Sequence, residues 1–211
     1  MSDPQPRLLA VGDIHGCSAQ LDELLGRVAP RAQDRLVFLG DYIDRGPDSR
    51  GVIERLIALR RRWPQTVCLR GNHEQMLLDY LDGGDAWPFL VNGGEATLTS
   101  YGAARPDELP ETHQQFLRDL PSSYCQGSFI FVHAGLRPGI TFVGQREEDL
   151  LWIRREFLDS DYDWGKTIVF GHTPRERPLL TPTRIGVDTG AVYGRQLTCC
   201  DVFSRTCWQA G

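Results

Sequence analysis

The chain has no long apolar run. No stretch approaches the ~20 apolar residues that span a bilayer, and the one apolar run before the first Gly-Asp pair is Leu8 to Val11. Neither a membrane helix nor a secretory leader is therefore expected. None of the six cysteines, Cys17, Cys68, Cys125, Cys199, Cys200 and Cys207, forms a C-x-x-C pair, and 211 residues do not suit a disulfide-stapled mini-domain. A basic excess is also missing. The 23 Lys and Arg against 28 Asp and Glu leave a formal charge of −5, which argues against a nucleic-acid-coating surface. It leaves room for a small anionic substrate held by a few well-placed cations. There is no low-complexity segment and no interdomain linker. These absences point to a reduced, cytoplasmic chain forming a single domain over 1–211, with 41% hydrophobic residues to fill a core.

What the chain does have is one repeated pattern: a short apolar run, a turn, then polar chemistry. It recurs in RLLAVGDIHG (7–16), RLVFLGDYIDRG (35–46), TVCLRGNHE (66–74), SFIFVHAGL (128–136), TIVFGHTP (167–174) and RIGVDTG (184–190). Each run has a strand's length and the Val, Ile, Leu and Phe content of strands buried on both faces. Between the early runs, 18–29 reads as a helix with Ser18 as N-cap and Leu21, Leu24, Leu25 and Val28 on one face. Residues 49–62 repeat this with Val52, Ile53, Leu56, Ile57 and Leu59, and their terminal arginines read as a solvated, dipole-favoured end. The alternation implies βαβ units with parallel strands. Residues 75–125 form a helical excursion with a Gly-rich, loop-like stretch from 81 to 97, and 195–210 alternates like a closing hairpin.

Ligands of an open α/β sheet gather beyond the carboxyl ends of its strands. Those ends carry Asp13 and His15, Asp41 and Asp44, Asn72 and His73, His133, and His172. Four of the five histidines follow an apolar run and lie beside or within two residues of a glycine. Imidazole, carboxylate and amide oxygen together suit Mn²⁺, Fe or Zn²⁺, without the thiolates of a structural zinc site. The donors exceed the needs of one ion. Two metals, bridged by an aspartate at roughly 3.5–4 Å, are the natural reading.

The motifs GDxHG (12–16), GDxxDRG (40–46), GNHE (71–74), HAG (133–135) and GHT (171–173) occur in this order. Over about residues 8 to 203 the chain resembles the phosphoprotein phosphatase family of binuclear metallophosphoesterases. GNHEQMLLDYL, NGG, LLWIRREF and VDTGAVYG resemble its small prokaryotic and lambda-phage members in particular. The resemblance implies an α/β calcineurin-like fold, a central β-sandwich of two mixed sheets flanked by helices, with the site at one rim. It implies that Asp13, His15 and Asp41 hold one divalent metal, and that Asn72, His133, His172 and Asp41 hold a second. Manganese is the expected ion, with Fe or Zn as alternatives, and a bridging hydroxide is the nucleophile. By the same resemblance His73 is the general acid, oriented by Asp44, and Arg45 clamps phosphate oxygens. A second clamp comes from WIRRE, where Arg154 is preferred to Arg155, and Asp188 supports the side of the second metal.

Taken singly, each motif has a plainer explanation. Asp13 would cap a helix, Asp44 and Arg45 would form a surface ion pair of about 0–1 kcal/mol, His133 would be a core histidine and Asn72 a turn residue. Five motifs in family order at successive strand ends make that set of coincidences untenable. His113 fits no motif and reads as an exposed helix residue; Cys17 reads as packing behind the first motif. The implied activity is a serine/threonine protein phosphatase acting on a phosphorylated protein or peptide. No nucleic acid, membrane or obligate regulatory subunit is expected. The alternatives are a hydrolase of symmetrical diadenosine tetraphosphate, a group that lacks the counterpart of Asp44, and a non-catalytic metal-binding scaffold.

Overall fold

The computed structural model describes residues 5–211, so residues 1–4 of the expected domain lie outside the described residues. Its strands are β1 (Leu8–Val11), β2 (Arg35–Phe38), β3 (Val67–Cys68), β4 (Ser123–Gln126), β5 (Phe129–Val132), β6 (Thr167–Phe170), β7 (Leu179–Leu180), β8 (Arg184–Gly186), β9 (Leu197–Asp201) and β10 (Thr206–Ala210). They form two five-stranded sheets, in the orders β10-β9-β1-β2-β3 and β4-β5-β6-β8-β7. The six expected strands are the parallel centres of these sheets, β1-β2-β3 and β5-β6-β8. The expected hairpin is β9-β10, joined antiparallel to β1. The antiparallel edge strands β4 and β7 carry no comparable apolar run. β4 also closes the excursion earlier than residue 125.

The continuous apolar runs have a direct cause. Successive side chains of a strand point to opposite faces. Leu8 and Ala10 of β1, with Val37 of β2, pack against Phe131, Val169 and Ile185 of the other sheet. Leu9 and Val11 face the opposite way, onto helices α1 (Ser18–Val28) and α2 (Ser49–Arg62). In the second sheet Ile130, Ile168 and Phe170 pack with Leu150, Ile153 and Phe157, which belong to or flank two short helices, α7 (Glu147–Trp152) and α8 (Arg155–Leu158). Each sheet is thus covered on both faces, and each such buried side chain contributes about 1.5–3 kcal/mol by leaving water.

The helices depart from expectation at their ends. Cys17, not Ser18, precedes the first turn of α1, and the Ser18 hydroxyl donates instead to Asp48 Oδ2 at 2.5 Å. Asp48 is itself the cap of α2, accepting from the Gly51 N–H at 2.9 Å. At the other end of α2 Arg60, Arg61 and Arg62 are exposed, as the sequence suggests, with the Arg60 guanidinium also lying over the Phe116 ring. The excursion comprises α3 (Asn72–Leu81), α4 (Trp87–Phe89), α5 (Glu95–Tyr101) and α6 (Glu111–Arg118), so most of the stretch expected as loop is helical, with a wide turn over 90–94. His113 is not exposed. It lies on the inner face of α6 with Phe116 and Leu117, and hydrogen-bonds Tyr101 at 2.8 Å. The short helices α7 and α8 cover the second sheet. No helix among the described residues is long and apolar enough to cross a membrane.

The two sheets touch just beyond the carboxyl ends of β1 and β8. A Cβ on Gly12 would stand 2.4 Å from the Val187 carbonyl oxygen, a separation no side chain tolerates. Gly12→Ala is therefore expected to cost about 1–3 kcal/mol of stability by forcing the rim apart. Gly26→Ala, on the exposed face of α1 with open space around it, is expected to add about 0.5–1 kcal/mol. Urea midpoints of the two variants check both signs.

Candidate active site

Two turns follow β1 and β2, and two loops follow β5 and β6; with the first turn of α3 they converge on the rim. Asp13, His15, Asp41, Asn72, His133 and His172 are each no more than 4% exposed. Part of the surrounding backbone is strained. Of the seven non-glycine residues with positive φ among the described residues, five are His15, Asp41, Asp44, Arg45 and His172. Such conformations cost energy and persist where the surrounding structure enforces them. At Asp41 the enforcing group is Glu74, fully buried on α3 and given no role by the sequence reading although it ends the GNHE motif. Its Oε2 accepts from the N–H groups of Asp41 and Gly71, both at 2.9 Å, and its Oε1 from Tyr42 at 2.8 Å.

Asp41 lies at the centre. Its Oδ2 is 3.4 Å from His133 Nε2, 3.5 Å from His15 Nε2 and 3.9 Å from His73 Nε2. Burial alone would raise this carboxyl, but the imidazoles of His133 and His73 reverse the sign and hold it well below the usual carboxylate range. His15 donates its Nδ1–H to the Ile43 carbonyl at 2.8 Å, and His133 places Nδ1 2.8 Å from the Leu39 carbonyl. Both rings are thereby fixed with Nε2 toward Asp41, the second partner that orients metal-binding imidazoles. His133 Nε2 also meets Asn72 Oδ1 at 2.9 Å and His172 Nδ1 at 3.1 Å.

The charges fit a cation. Burial pushes His15 down to about 3 and His172 down to about 2, keeping both neutral and their lone pairs available. Burial also opposes charge on His133, yet Asp41 lifts it to about 9, so a proton sits among these donors at neutral pH. Burial raises Asp13 well above its usual value, and the neighbouring carboxylate of Asp188 adds to the effect. Asp188 itself is raised to about 6, mainly by burial. Asp188 thus lies close enough to act on Asp13, while Asp41 and His133 act on Asp188 in turn. The buried His172 Nε2 has no hydrogen-bond partner among the described residues. Divalent cations would take up the orphan nitrogen, replace the His133 proton and neutralise the clustered acids. Among the described residues, two sets each bring their donor atoms within 4.8 Å of one another, His15-Asp41-His73 and Asp41-His133-His172. Asp13 stands outside both, with its oxygens accepting from the His172 N–H at 3.0 and 3.1 Å.

His73 and Asp44 form a separate pair, Nδ1 to Oδ2 at 2.6 Å, 1% and 0% exposed. Burial pushes His73 down to about 4 and Asp44 well up, so neither readily carries charge alone. Arg45 and Arg154 line the cleft and form no ion pair with a carboxylate among the described residues. The Arg45 Nη1–H donates to His15 Nε2 at 2.8 Å, the lone pair that a cation would take. Arg155 opens α8 and does not line the cleft. The sequence reading missed Asn92, Trp152 and Tyr193, which also line it. A spacing signal existed, since NGG, LLW and VYG flank these residues, but exposed rim residues have no periodicity. Cys17 is half-buried, its thiol raised by burial and donating to the His15 carbonyl, as befits packing rather than reactivity. A larger groove of about 670 Å³ between α2 and α6 holds none of the candidate residues.

Imidazole and carboxylate donors beside unpaired arginines define a metal-dependent hydrolase of an anionic ester as the class. The chain belongs to the calcineurin-like phosphoesterase family, whose model matches residues 6–176. It is 38% identical over 202 residues to serine/threonine-protein phosphatase 1 of Salmonella typhimurium strain LT2, covering 89% of this chain and 88% of that protein. It is 31% identical over 217 residues to the asymmetrical bis(5'-nucleosyl)-tetraphosphatase PrpE of Geobacillus sp. strain WCH70, covering 89% and 87%. A solved structure named provisionally as a diadenosine tetraphosphatase matches with a TM-score of 0.77 at 26% identity, covering 100% of this chain and 95% of that one. The two mixed sheets flanked by helices are the family's fold.

The position of Arg154 makes a sharp prediction. Arg154→Ala is expected to lower kcat/KM about ten- to hundredfold, the loss of a charge-assisted bond, with metal content unchanged. Arg155→Ala is expected to match the wild type in the same phosphatase assay.

Proposed function

We propose that this phosphoesterase is a phosphomonoesterase of phosphoserine and phosphothreonine in cytoplasmic proteins or peptides, working with two divalent cations, Mn²⁺ by preference, and without an obligate regulatory subunit. The observation that carries the reading is the buried Asp44–His73 pair at 2.6 Å. A serine or threonine alkoxide is a strong base and leaves only with a proton. A phosphoanhydride releases a weakly basic phosphate and needs no such acid. A dedicated, oriented acid therefore favours the monoester.

In this reading Asp13, His15 and Asp41 hold one cation, and Asn72, His133, His172 and Asp41 the other. When bound, the cations supply the positive charge that acidifies a water and offsets charge on the phosphoryl oxygens. Arg45 and Arg154 grip those oxygens through their planar donor forks. His73 gives its Nε2 proton to the leaving oxygen, while Asp44 holds Nδ1 and supports the charge changing on the ring. The grouping of His73 with His15 and Asp41 allows a ligand role instead; the Asp44 partnership favours the acid.

A second reading, hydrolysis of a dinucleoside tetraphosphate, is favoured by the likeness to PrpE and by two aromatic rings at the cleft. Trp152 is 42% exposed and Tyr193 56%, and exposed rings are surfaces on which a nucleobase stacks.

The test is a side-by-side assay with Mn²⁺ on a phosphoserine peptide, an activated aryl phosphate and diadenosine tetraphosphate. The wild type is expected to show its higher kcat/KM on the peptide rather than the dinucleotide. His73→Asn is expected to keep both metals and lose roughly 10²–10⁴ in kcat on the peptide, with a far smaller loss on the activated ester. Preference for the dinucleotide, or metal loss in His73→Asn, sinks the reading.

A further inference from the structure

We propose that Thr97 is a positioning residue for the acid, its hydroxyl holding Asp44 in the orientation that aims His73 at the leaving oxygen. The inference rests on the acid role proposed for His73. Thr97 lies on α5, 53 residues from Asp44 in sequence, and is 0% exposed. Its Oγ1 donates to Asp44 Oδ1 at 2.7 Å and accepts from the Asp44 N–H at 2.8 Å. One hydroxyl therefore grips both the carboxylate and the backbone of the same residue.

The hydrogens can be assigned from these contacts. A hydroxyl has one proton and two lone pairs. Thr97 spends its proton on the Asp44 carboxylate, so at the 3.0 Å contact with Ser49 Oγ the serine must be the donor. Ser49 Oγ in turn accepts from the Asp44 N–H at 3.1 Å. The result is a directed chain, Ser49 to Thr97 to Asp44, with His73 donating to the other Asp44 oxygen at 2.6 Å. Every donor in it is used. Without the Thr97 hydroxyl, Asp44 Oδ1 has no partner in this chain, and the carboxylate can turn about its Cβ–Cγ bond away from His73.

The backbone points the same way. Asp44 and Arg45 have φ of 71° and 67°, two consecutive non-glycine residues in the left-handed region. That strain needs an outside constraint. It comes from the segment containing Thr97, because the Arg45 N–H donates to the Gly93 carbonyl at 3.1 Å. The helical excursion thus grips the acid's partner with Thr97 and the phosphate clamp with Gly93.

The experiment compares Thr97→Val, which keeps the shape and removes the hydroxyl, with Thr97→Ser, which restores it. With Mn²⁺ saturating, Thr97→Val is expected to retain two metals and lose about ten- to hundredfold in kcat on a phosphoserine peptide. On the activated aryl phosphate its loss is expected to stay within about threefold, because a good leaving group needs little protonation. Thr97→Ser is expected to recover most of the rate. In a His73→Asn background Thr97→Val is expected to add nothing, since both act through one proton. Equal losses on the two substrates, a full effect in the His73→Asn background, or no effect of Thr97→Val overturns the proposal. If His73→Asn itself lacks leaving-group dependence, the acid role fails and this inference falls with it. Dependence in His73→Asn without any in Thr97→Val sinks Thr97 alone. Should Thr97→Val prove insoluble, Thr97→Ala carries the same comparisons.

Discussion

A carboxylate buried among imidazoles is the constraint on which this structure turns. Asp41 is 2% exposed and cannot carry its charge there without positive partners. The imidazole partners come from three other strand ends, so the ends must meet within a few ångströms. Close approach requires glycine at the contact. Gly40, with φ of 102°, lets its neighbour's carboxylate reach across to His133, whose Nδ1 would lie 2.9 Å from an added Cβ. The left-handed backbone of five site residues follows from the same demand, because each turn must reverse at once to bring its side chain inward.

The sandwich is what supplies enough rigidity for that demand. Each sheet is sealed by the other sheet on one face and by helices on the other, so the strand ends cannot drift individually. Glu74 links the two layers of support. It belongs to α3, yet its carboxylate takes backbone donors from the turn after β2 as well as from Gly71. The excursion adds a third support from outside the sheets. Chemistry at the rim is therefore held by packing far from it.

Much of this was legible in the sequence because the strands are short, apolar and followed at once by chemistry. Asp13, His15, Asp41, Asn72, His133 and His172 could each be read from a strand end followed by a glycine turn. The preference for Arg154 over Arg155 came from the family likeness of WIRRE, and of the two it is Arg154 that lines the cleft. What could not be read depends on tertiary neighbours. β4 is half-exposed and β7 has two residues, so neither leaves a periodic trace. His113 looked like a surface residue because the inward face of α6 is defined only by its packing partners. The 81–97 stretch looked like loop because its glycines mark a wide helical turn against Phe89 and Arg45, which a sequence reading takes for breakers. Glu74 and Thr97 bind groups 31 to 53 residues away, and nothing local announces such partners.

The central claim is that Asp41 bridges two cations while His73 stays free to handle a proton. Anomalous diffraction at the manganese edge, from crystals grown with Mn²⁺, tests it most directly. The account predicts two peaks roughly 3.5–4 Å apart. Both would touch the Asp41 carboxylate, one beside Asp13 and His15 and the other beside Asn72, His133 and His172. His73 would keep its bond to Asp44 and stand outside both coordination shells. A single peak, or a metal bound to His73 Nε2 in place of Asp13, would contradict it.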